Sequence, residues 1–326
     1  MKVLIRWMAA ACVAGLLTAC GGSDHPAPGT IAQEAQKNGL TALLAAATKA
    51  GLAPTLAASN ANLTVFAPTD AAFTTLATQL GFADATAMVT ALTDTQLKSI
   101  LQYHLLASIK SAADLAAGGA EQSTAYNFPT ATAATKLKLS TSSGVTLTDA
   151  VLADAQVTSA NVPASNGIIH VINKVLVPPG VLNVVQMAQA NPAAFSTLVS
   201  SLGTANLVNT LKDTGPFTVF APTNVAFTNA ATTVAGLTAP QLVSVLKYHV
   251  LSGQTLASQI TAGLTVPTLN TNTLAGATLA TGQTITINTS PLSITDKTTT
   301  PAPITNTDVR ASNGVIHVIS KVLIPS

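Results

Sequence analysis

The chain writes one ten-residue box twice: TVFAPTDAAF from Thr64 to Phe73, then TVFAPTNVAF from Thr218 to Phe227. Two further pieces follow each copy in the same order. A Tyr-His pair closes an apolar run at Tyr103-His104 and again at Tyr248-His249. A terminal segment, NGIIHVINKVLVP from Asn166 to Pro178, returns as NGVIHVISKVLIP from Asn313 to Pro325. The repeat is therefore one unit of roughly 150 residues, far longer than the roughly 20–50-residue periods of solenoid arrays. A chain of 326 residues holds two such units, each able to bury its own core.

Within each unit the pattern runs from helices to strands. Ile31 to about Ala50 reads as helical and Ala-rich. Leu63 to Phe66 is a short β-type run that Ala67-Pro68 stops. Thr69 and Thr223 stand as helix N-caps. Asp70 places a carboxylate in the first turn, where it meets the helix dipole, and Asn224 keeps only the short polar side chain. Thr93 with Gln96, and Thr238 with Gln241, have capping-box spacing at the start of the next helix. Leu97, Ile100, Leu101 and His104 trace one face of it, as Leu242, Val245, Leu246 and His249 do in the second copy. Each histidine thus lies on an apolar face near a helix C-terminus, where the dipole favours its proton and burial opposes it.

Farther on the period falls to two. KLKLS at Lys136–Ser140 and QTITINT at Gln283–Thr289 alternate as half-buried strands do. Asn166-Gly167 and Asn313-Gly314 supply hairpin-type turns. Ile168–Ile172 and Val315–Ile319 are apolar on both faces, which calls for central, doubly covered strands. The layout is α+β. Pro178-Pro179-Gly180 leaves little free chain between the units, so their mutual orientation is expected to be restricted.

The N-terminus addresses the chain outward. Lys2 and Arg6 form a basic start, and Trp7 to Leu17 form an apolar core too short to span a bilayer. Leu17-Thr18-Ala19-Cys20 and the polar Gly21-Gly22-Ser23 resemble a bacterial lipoprotein signal. That resemblance implies a signal peptide over 1–19, lipidation of Cys20 and a flexible tether over 20–30. The two cysteines are Cys12 and Cys20, so the processed chain has no pair for a disulfide. No later stretch offers the ~20 apolar residues of a spanning helix, and the membrane is expected to be reached through the lipid anchor only. Fourteen basic against twelve acidic residues, thinly spread, leave no basic stripe for nucleic acid.

The reactive side chains point to structure more than to chemistry. His104, His170, His249 and His317 sit in the repeated boxes and His25 in the tether, without HxH, HxxxH or HExxH spacing, so no metal site is expected. Buried histidines bonded to backbone are the ordinary reading. No G-x-S-x-G elbow occurs. Asp70 beside a histidine would be the one acid–base pair, yet Asn224 removes the carboxylate from the second copy. Capping explains both copies, and catalysis explains at most one. Tyr103 and Tyr248 read as helix-end packing residues. With aromatics at 4%, no flat cofactor is expected.

With these boxes in view the chain resembles a tandem fasciclin-domain protein, on the strength of TVFAPT-[DN]-x-AF, the Tyr-His pair and NG-[IV]-IH-VI-x-KVL-[VI]-P, each present twice. The resemblance implies two tandem fasciclin-like domains, 31–178 and 181–326, each a β-sheet wedge with helices packed over it. It implies fold-determining roles for Thr69, Asp70, Tyr103, His104, Asn166, Gly167 and His170, and for Thr223, Asn224, Tyr248, His249, Asn313, Gly314 and His317. It also implies an extracellular or envelope-exposed, non-catalytic role in adhesion. The expected partner is a surface or matrix protein or polysaccharide, met by segments that differ between the repeats, such as Ala116–Asn127 or Pro291–Pro303. The alternative is a carrier of a small apolar ligand, a lipid or pigment, held between helices and sheet.

Overall fold

The computed structural model describes residues 27–129, 135–142, 144–272, 283–298 and 300–326. The signal segment, Cys12, Cys20, His25 and the tether through residue 26 lie outside the described residues. The first unit has helices α1 (Ile31–Lys37), α2 (Thr41–Lys49), α3 (Ala53–Ala57), α4 (Asp70–Gln79), α5 (Ala85–Ala91), α6 (Asp94–Tyr103) and α7 (Ala112–Ala117). Its strands are β1 (Leu63–Pro68), β2 (Leu105–Leu106), β3 (Glu121–Ser123), β4 (Lys136–Ser140), β5 (Thr146–Thr148), β6 (Asp154–Ala164) and β7 (Gly167–Ile172). The second has α8 (Val184–Gln189), α9 (Pro192–Thr204), α10 (Val208–Lys212), α11 (Asn224–Asn229), α12 (Ala231–Ala235) and α13 (Ala239–Tyr248). Its strands are β8 (Phe217–Pro222), β9 (Val250–Ser252), β10 (Leu264–Pro267), β11 (Thr284–Thr289), β12 (Leu292–Thr295), β13 (Ala302–Ala311) and β14 (Gly314–Ile319).

Each unit builds a seven-stranded mixed sheet of the same order, β2-β1-β7-β6-β5-β4-β3 and β9-β8-β14-β13-β12-β11-β10. The chain is thus α+β in two tandem copies. The first box and the closing box lie side by side as the parallel pairs β1–β7 and β8–β14, while the other paired strands described are antiparallel. A parallel pair needs a long crossover, and the helices supply it. That is why helices and strands separate along the sequence.

Ile31–Ala50 is helical, as expected, but in two pieces, because Gly39 takes φ +70° and the Leu40 N–H returns to the Ala35 carbonyl at 3.0 Å, a glycine-terminated helix end. The hairpin turn also falls one residue earlier than the Asn-Gly pair suggested. Ala164 pairs with Gly167 and Ala311 with Gly314, so the loops are Ser165-Asn166 and Ser312-Asn313. The glycine is there for close approach: a Cβ on Gly167 would lie 2.2 Å from the Leu63 carbonyl oxygen, and one on Gly314 2.2 Å from that of Phe217.

The units are joined through packed surface, as the short linker led us to expect. One apolar cluster runs from the first unit's core into the helices of the second, and includes Val151, Met187, Phe195, Val219 and Ile316. A second cluster, around Phe220, Tyr248, Ile287 and Ile294, fills the far side of the second sheet. Across the joint, buried Asn191 donates from Nδ2 to the carbonyls of Val151 (2.9 Å) and Leu152 (3.3 Å). Leu152 sits at φ +61°, a left-handed conformation that β-carbon-bearing residues adopt at a cost. The same Asn191 caps α9 by accepting the Ala194 N–H. The Tyr126 hydroxyl reaches the Pro179 carbonyl at 3.0 Å, and the Gly180 N–H reaches that of Arg310 at 3.0 Å.

Asn191→Ala removes one cap and strips a buried and a part-buried carbonyl of their donor, a loss of about 2 kcal/mol. Wild-type chain should unfold in a single calorimetric transition, and the variant should show two. A variant that still unfolds in one unshifted transition would mean that Asn191 does not couple the units.

Candidate functional site

The third helix of the crossover is built to bury its own end. Thr93 and Gln96 close a capping box at the start of α6, and the apolar face of the helix then carries Tyr103 and His104 into the core. The Tyr103 hydroxyl meets the Lys136 carbonyl at 3.4 Å and that of Tyr248 meets Thr284 at 3.0 Å. Burial pushes both phenols up, with Asp149 adding to it for Tyr103 and Asp296 for Tyr248. His104 caps the helix C-terminus. Its Nε2 accepts the Leu176 N–H at 2.9 Å, so the ring proton is on Nδ1, which donates to the Ile100 carbonyl at 2.7 Å. His249 repeats this with Leu323 at 2.8 Å and Val245 at 2.8 Å.

The closing-box histidines carry the opposite tautomer. His170 Nδ1 accepts the Asn161 N–H at 3.3 Å and its Nε2 donates to the Lys110 carbonyl at 2.9 Å. His317 does the same with Asp308 (3.4 Å) and Thr255 (2.9 Å). Desolvation drives His104 and His249 down to about 4 and lowers His170 and His317. The first box joins the same network. The Thr64 hydroxyl donates to the Ser108 carbonyl and accepts the Lys110 N–H, and Thr218 does so with Gly253 and Thr255. Each ring nitrogen of all four histidines is thereby engaged with backbone.

Thr69 and Thr223 cap their helices, accepting the N–H of Ala72 at 3.1 Å and of Ala226 at 3.2 Å. Position 70 serves a different helix from the one it begins. Asp70 accepts the Ala42 N–H at 2.9 Å and the Thr41 hydroxyl, closing the start of α2. Asn224 inserts its amide into α9, accepting the Thr197 N–H at 2.9 Å and donating to the carbonyls of Pro192 and Ala193, both at 3.0 Å. The first site presents two donors and takes a carboxylate. The second presents a donor and two acceptors, and takes an amide. The two residues are therefore matched to their partners rather than interchangeable. Asn166 accepts the Ile31 N–H and donates to the carbonyls of Leu56 and Ala58, and Asn313 ties Val184 to Leu211 and Asp213.

Asp149 and Asp296 escaped the sequence reading. Asp149 is buried, pairs with Lys174, and accepts N–H groups from Val151, Ala153 and Val177. Asp296 pairs with Lys321 at 3.2 Å and accepts from Ile324 and Thr298. Burial resists its ionisation, but the Thr298 hydroxyl, the two N–H groups and Lys321 outweigh that and hold its pKa below the usual range. Both residues follow a Leu-Thr or Ile-Thr strand end at the same distance before Asn166 and Asn313, a signal that aligning the copies past their boxes would have caught.

The surface grooves are open and of mixed lining. A groove of about 580 Å³ over α2, α4 and α5 is lined by Thr41, Asp70, Thr74 and Asp84 together with Ala45 and Val89. Its acids serve helix starts, Asp84 by accepting the Ala87 N–H at 2.7 Å. A void at the joint, lined by Leu152, Met187, Phe195 and Ile316, is about 10 Å³. Two clefts at the joint, about 190 and 360 Å³, share Arg310. Asp70 bonds to Thr41 and Ala42 and to no histidine, and no cluster of three or more metal-ligating side chains occurs among the described residues. The segments expected to be variable binding loops each contribute strand residues to the sheets. Ala116–Asn127 contains β3 and buried Tyr126, and Pro291–Pro303 contains β12 and the start of β13.

Comparison with known proteins adds a family. A model described as Fasciclin domain matches the chain twice, over residues 38–178 and 193–325. Protein sll1483 of Synechocystis sp. is 39% identical over 149 residues, covering 44% of this chain and 74% of that protein. Protein sll1735 of the same organism is 34% identical over 145 residues, covering 44% of this chain and 97% of that one. Among solved structures, a FAS1 domain pair from the insect cell adhesion molecule Fasciclin I aligns over 90% of this chain and 98% of its own. The identity is 16% and the TM-score 0.42.

Two outcomes follow from the bonded side chains. Between pH 6.5 and about 4, the unfolded chain protonates at positions 104 and 249 while the folded chain does not. Their stabilisation is complete above pH 6.5 and is lost as pH falls, at about 1.4 kcal/mol per pH unit for each histidine. In urea titrations at pH 7.5, 6 and 5, His104→Gln should be less stable throughout and have a shallower pH slope by about that amount. An unchanged slope would contradict a neutral His104. Separately, Asn224→Asp should cost about 1–3 kcal/mol by turning a carboxylate on two carbonyls, and Asp70→Asn should cost less.

Proposed function

We propose, from the premise that this chain belongs to the fasciclin-domain family, that it is a non-catalytic, adhesion-type interaction protein of the cell envelope. The family is in general an adhesion-type one found in extracellular proteins. In this reading the chain is exported, processed at residues 1–19, lipid-anchored through Cys20, and held off the membrane by the tether over 20–30. Two domains, 31–178 and 181–326, then present the binding surface to a surface or matrix protein or polysaccharide.

The observation that carries the reading is the commitment of the four box histidines. With both ring nitrogens of each engaged by backbone, none is free as a general base. What differs between the copies is surface rather than a reactive centre. No helix among the described residues is long and apolar enough to cross a membrane, which fits a lipid as the attachment. The carrier alternative needs an apolar cavity of roughly 300 Å³ or more. The apolar void at the joint, at about 10 Å³, is close to what a single water requires.

Cells expressing the full chain should fractionate it with membranes and adhere to protein- or polysaccharide-coated surfaces several-fold more than cells lacking it. Cys20→Ser should release the chain and abolish the gain. Adhesion no greater than that of empty cells would sink the reading, and an unchanged membrane fraction for Cys20→Ser would remove the anchor from it.

A further inference from the structure

We propose that the cleft across the joint is a binding site for a carboxylate-bearing polysaccharide, with Arg310 and Lys138 as its charge-reading residues. The proposal rests on the adhesion-type reading above and names the partner class for it. The 190 Å³ cleft is walled by β4 of the first unit and by the stretch from Thr307 to Arg310 of β13 in the second. Strand alternation sends Lys136 and Lys138 out on one face of β4 while Leu137 and Leu139 fill the core. Arg310 stands opposite and also lines the neighbouring 360 Å³ cleft beside Phe128 and Gly180. The smaller cleft takes its walls from both units, and the larger lies mainly on the second with Phe128 contributed by the first.

The charges there are unevenly committed. Glu121 pairs with Lys136 at 2.9 Å and lies across from Lys138 in the strand register, so one carboxylate serves two ammonium groups. Asp149 is taken by Lys174 and three backbone N–H groups. Asp308 lines the cleft and accepts the Ala257 N–H at 2.9 Å. Among the described residues no carboxylate forms an ion pair with Arg310 or Lys138. A planar guanidinium with an unused donor fork takes a carboxylate in bidentate fashion.

The rest of the lining suits sugar better than an acidic peptide. Thr135 accepts the Phe128 N–H and keeps its own proton to donate, and Thr307 adds a second hydroxyl at the cleft. Of the aliphatic side chains at this point Val309 is buried in the joint and Leu152 is half-buried beside it, with Ala150 and Pro179 completing the apolar lining. A chain of linked uronic acids offers what the cleft lacks: regularly spaced carboxylates with hydroxyls between them.

The test is titration of the detergent-solubilised full chain with alginate oligomers, neutral dextran of equal length and poly-glutamate, at low and high salt. Alginate should bind and dextran should not, and 0.5 M salt should weaken binding at least tenfold. R310Q and K138Q should each weaken it about three- to tenfold and the double variant more than tenfold, with thermal unfolding little changed because Lys138 is exposed and half-buried Arg310 forms no ion pair among the described residues. Alginate binding that survives the double variant, or stronger binding of poly-glutamate, overturns the proposal. If no alginate binds while the adhesion gain in cells persists, the cleft assignment is wrong and the adhesion-type reading stands. If both vanish, the adhesion-type reading itself is wrong.

Discussion

The structure hangs on imidazole rings that spend both nitrogens on backbone. His104 ties the end of α6 to Leu176 in the closing segment, and His170 ties the closing strand to the loop that follows β2. Thr64 of the first box grips that same loop. Three stretches remote in sequence are thereby bonded pairwise, and the second unit repeats the wiring with His249, His317 and Thr218. Loss of any one partner strands a buried polar group, which costs more than the bond itself gains. This explains why the three boxes recur as a set.

The same commitment shapes function. A neutral ring with one donor and one acceptor both in use has nothing left for proton transfer. The buried Asp149–Lys174 and Asp296–Lys321 pairs likewise hold the segment after the closing strand against the sheet. These histidine and aspartate side chains act as fasteners between segments remote in sequence.

Much of this was legible in the sequence, for definite reasons. The duplication, the α+β order and the caps at Thr69, Thr223, Thr93 and Thr238 are local patterns, and local patterns survive without coordinates. What was missed depends on partners far along the chain. Asn191 contacts residues some forty positions earlier, and Asp149 a lysine twenty-five positions later. Asp70 looked like a cap for the helix it begins, and only the packing of α2 against it shows whose N–H it accepts. The Asn-Gly pairs looked like turns because the glycine's neighbour, the carbonyl of Leu63 or Phe217, lies about a hundred residues away.

The joint also decides how long such an assembly can grow. It is head-to-tail, the front of the second unit against the back of the first, and a contact of that kind could in principle stack without limit. The two outer ends do not repeat the inner ones. Val184 and Ile31 play matching parts, each giving its N–H to the closing-box asparagine, so Glu34 occupies the place that Met187 has at the joint. On the other side Thr298 follows Asp296 as Val151 follows Asp149. A further repeat spliced to the front would bury a carboxylate where the existing joint has a thioether, and one added behind would bury a hydroxyl that already serves Asp296.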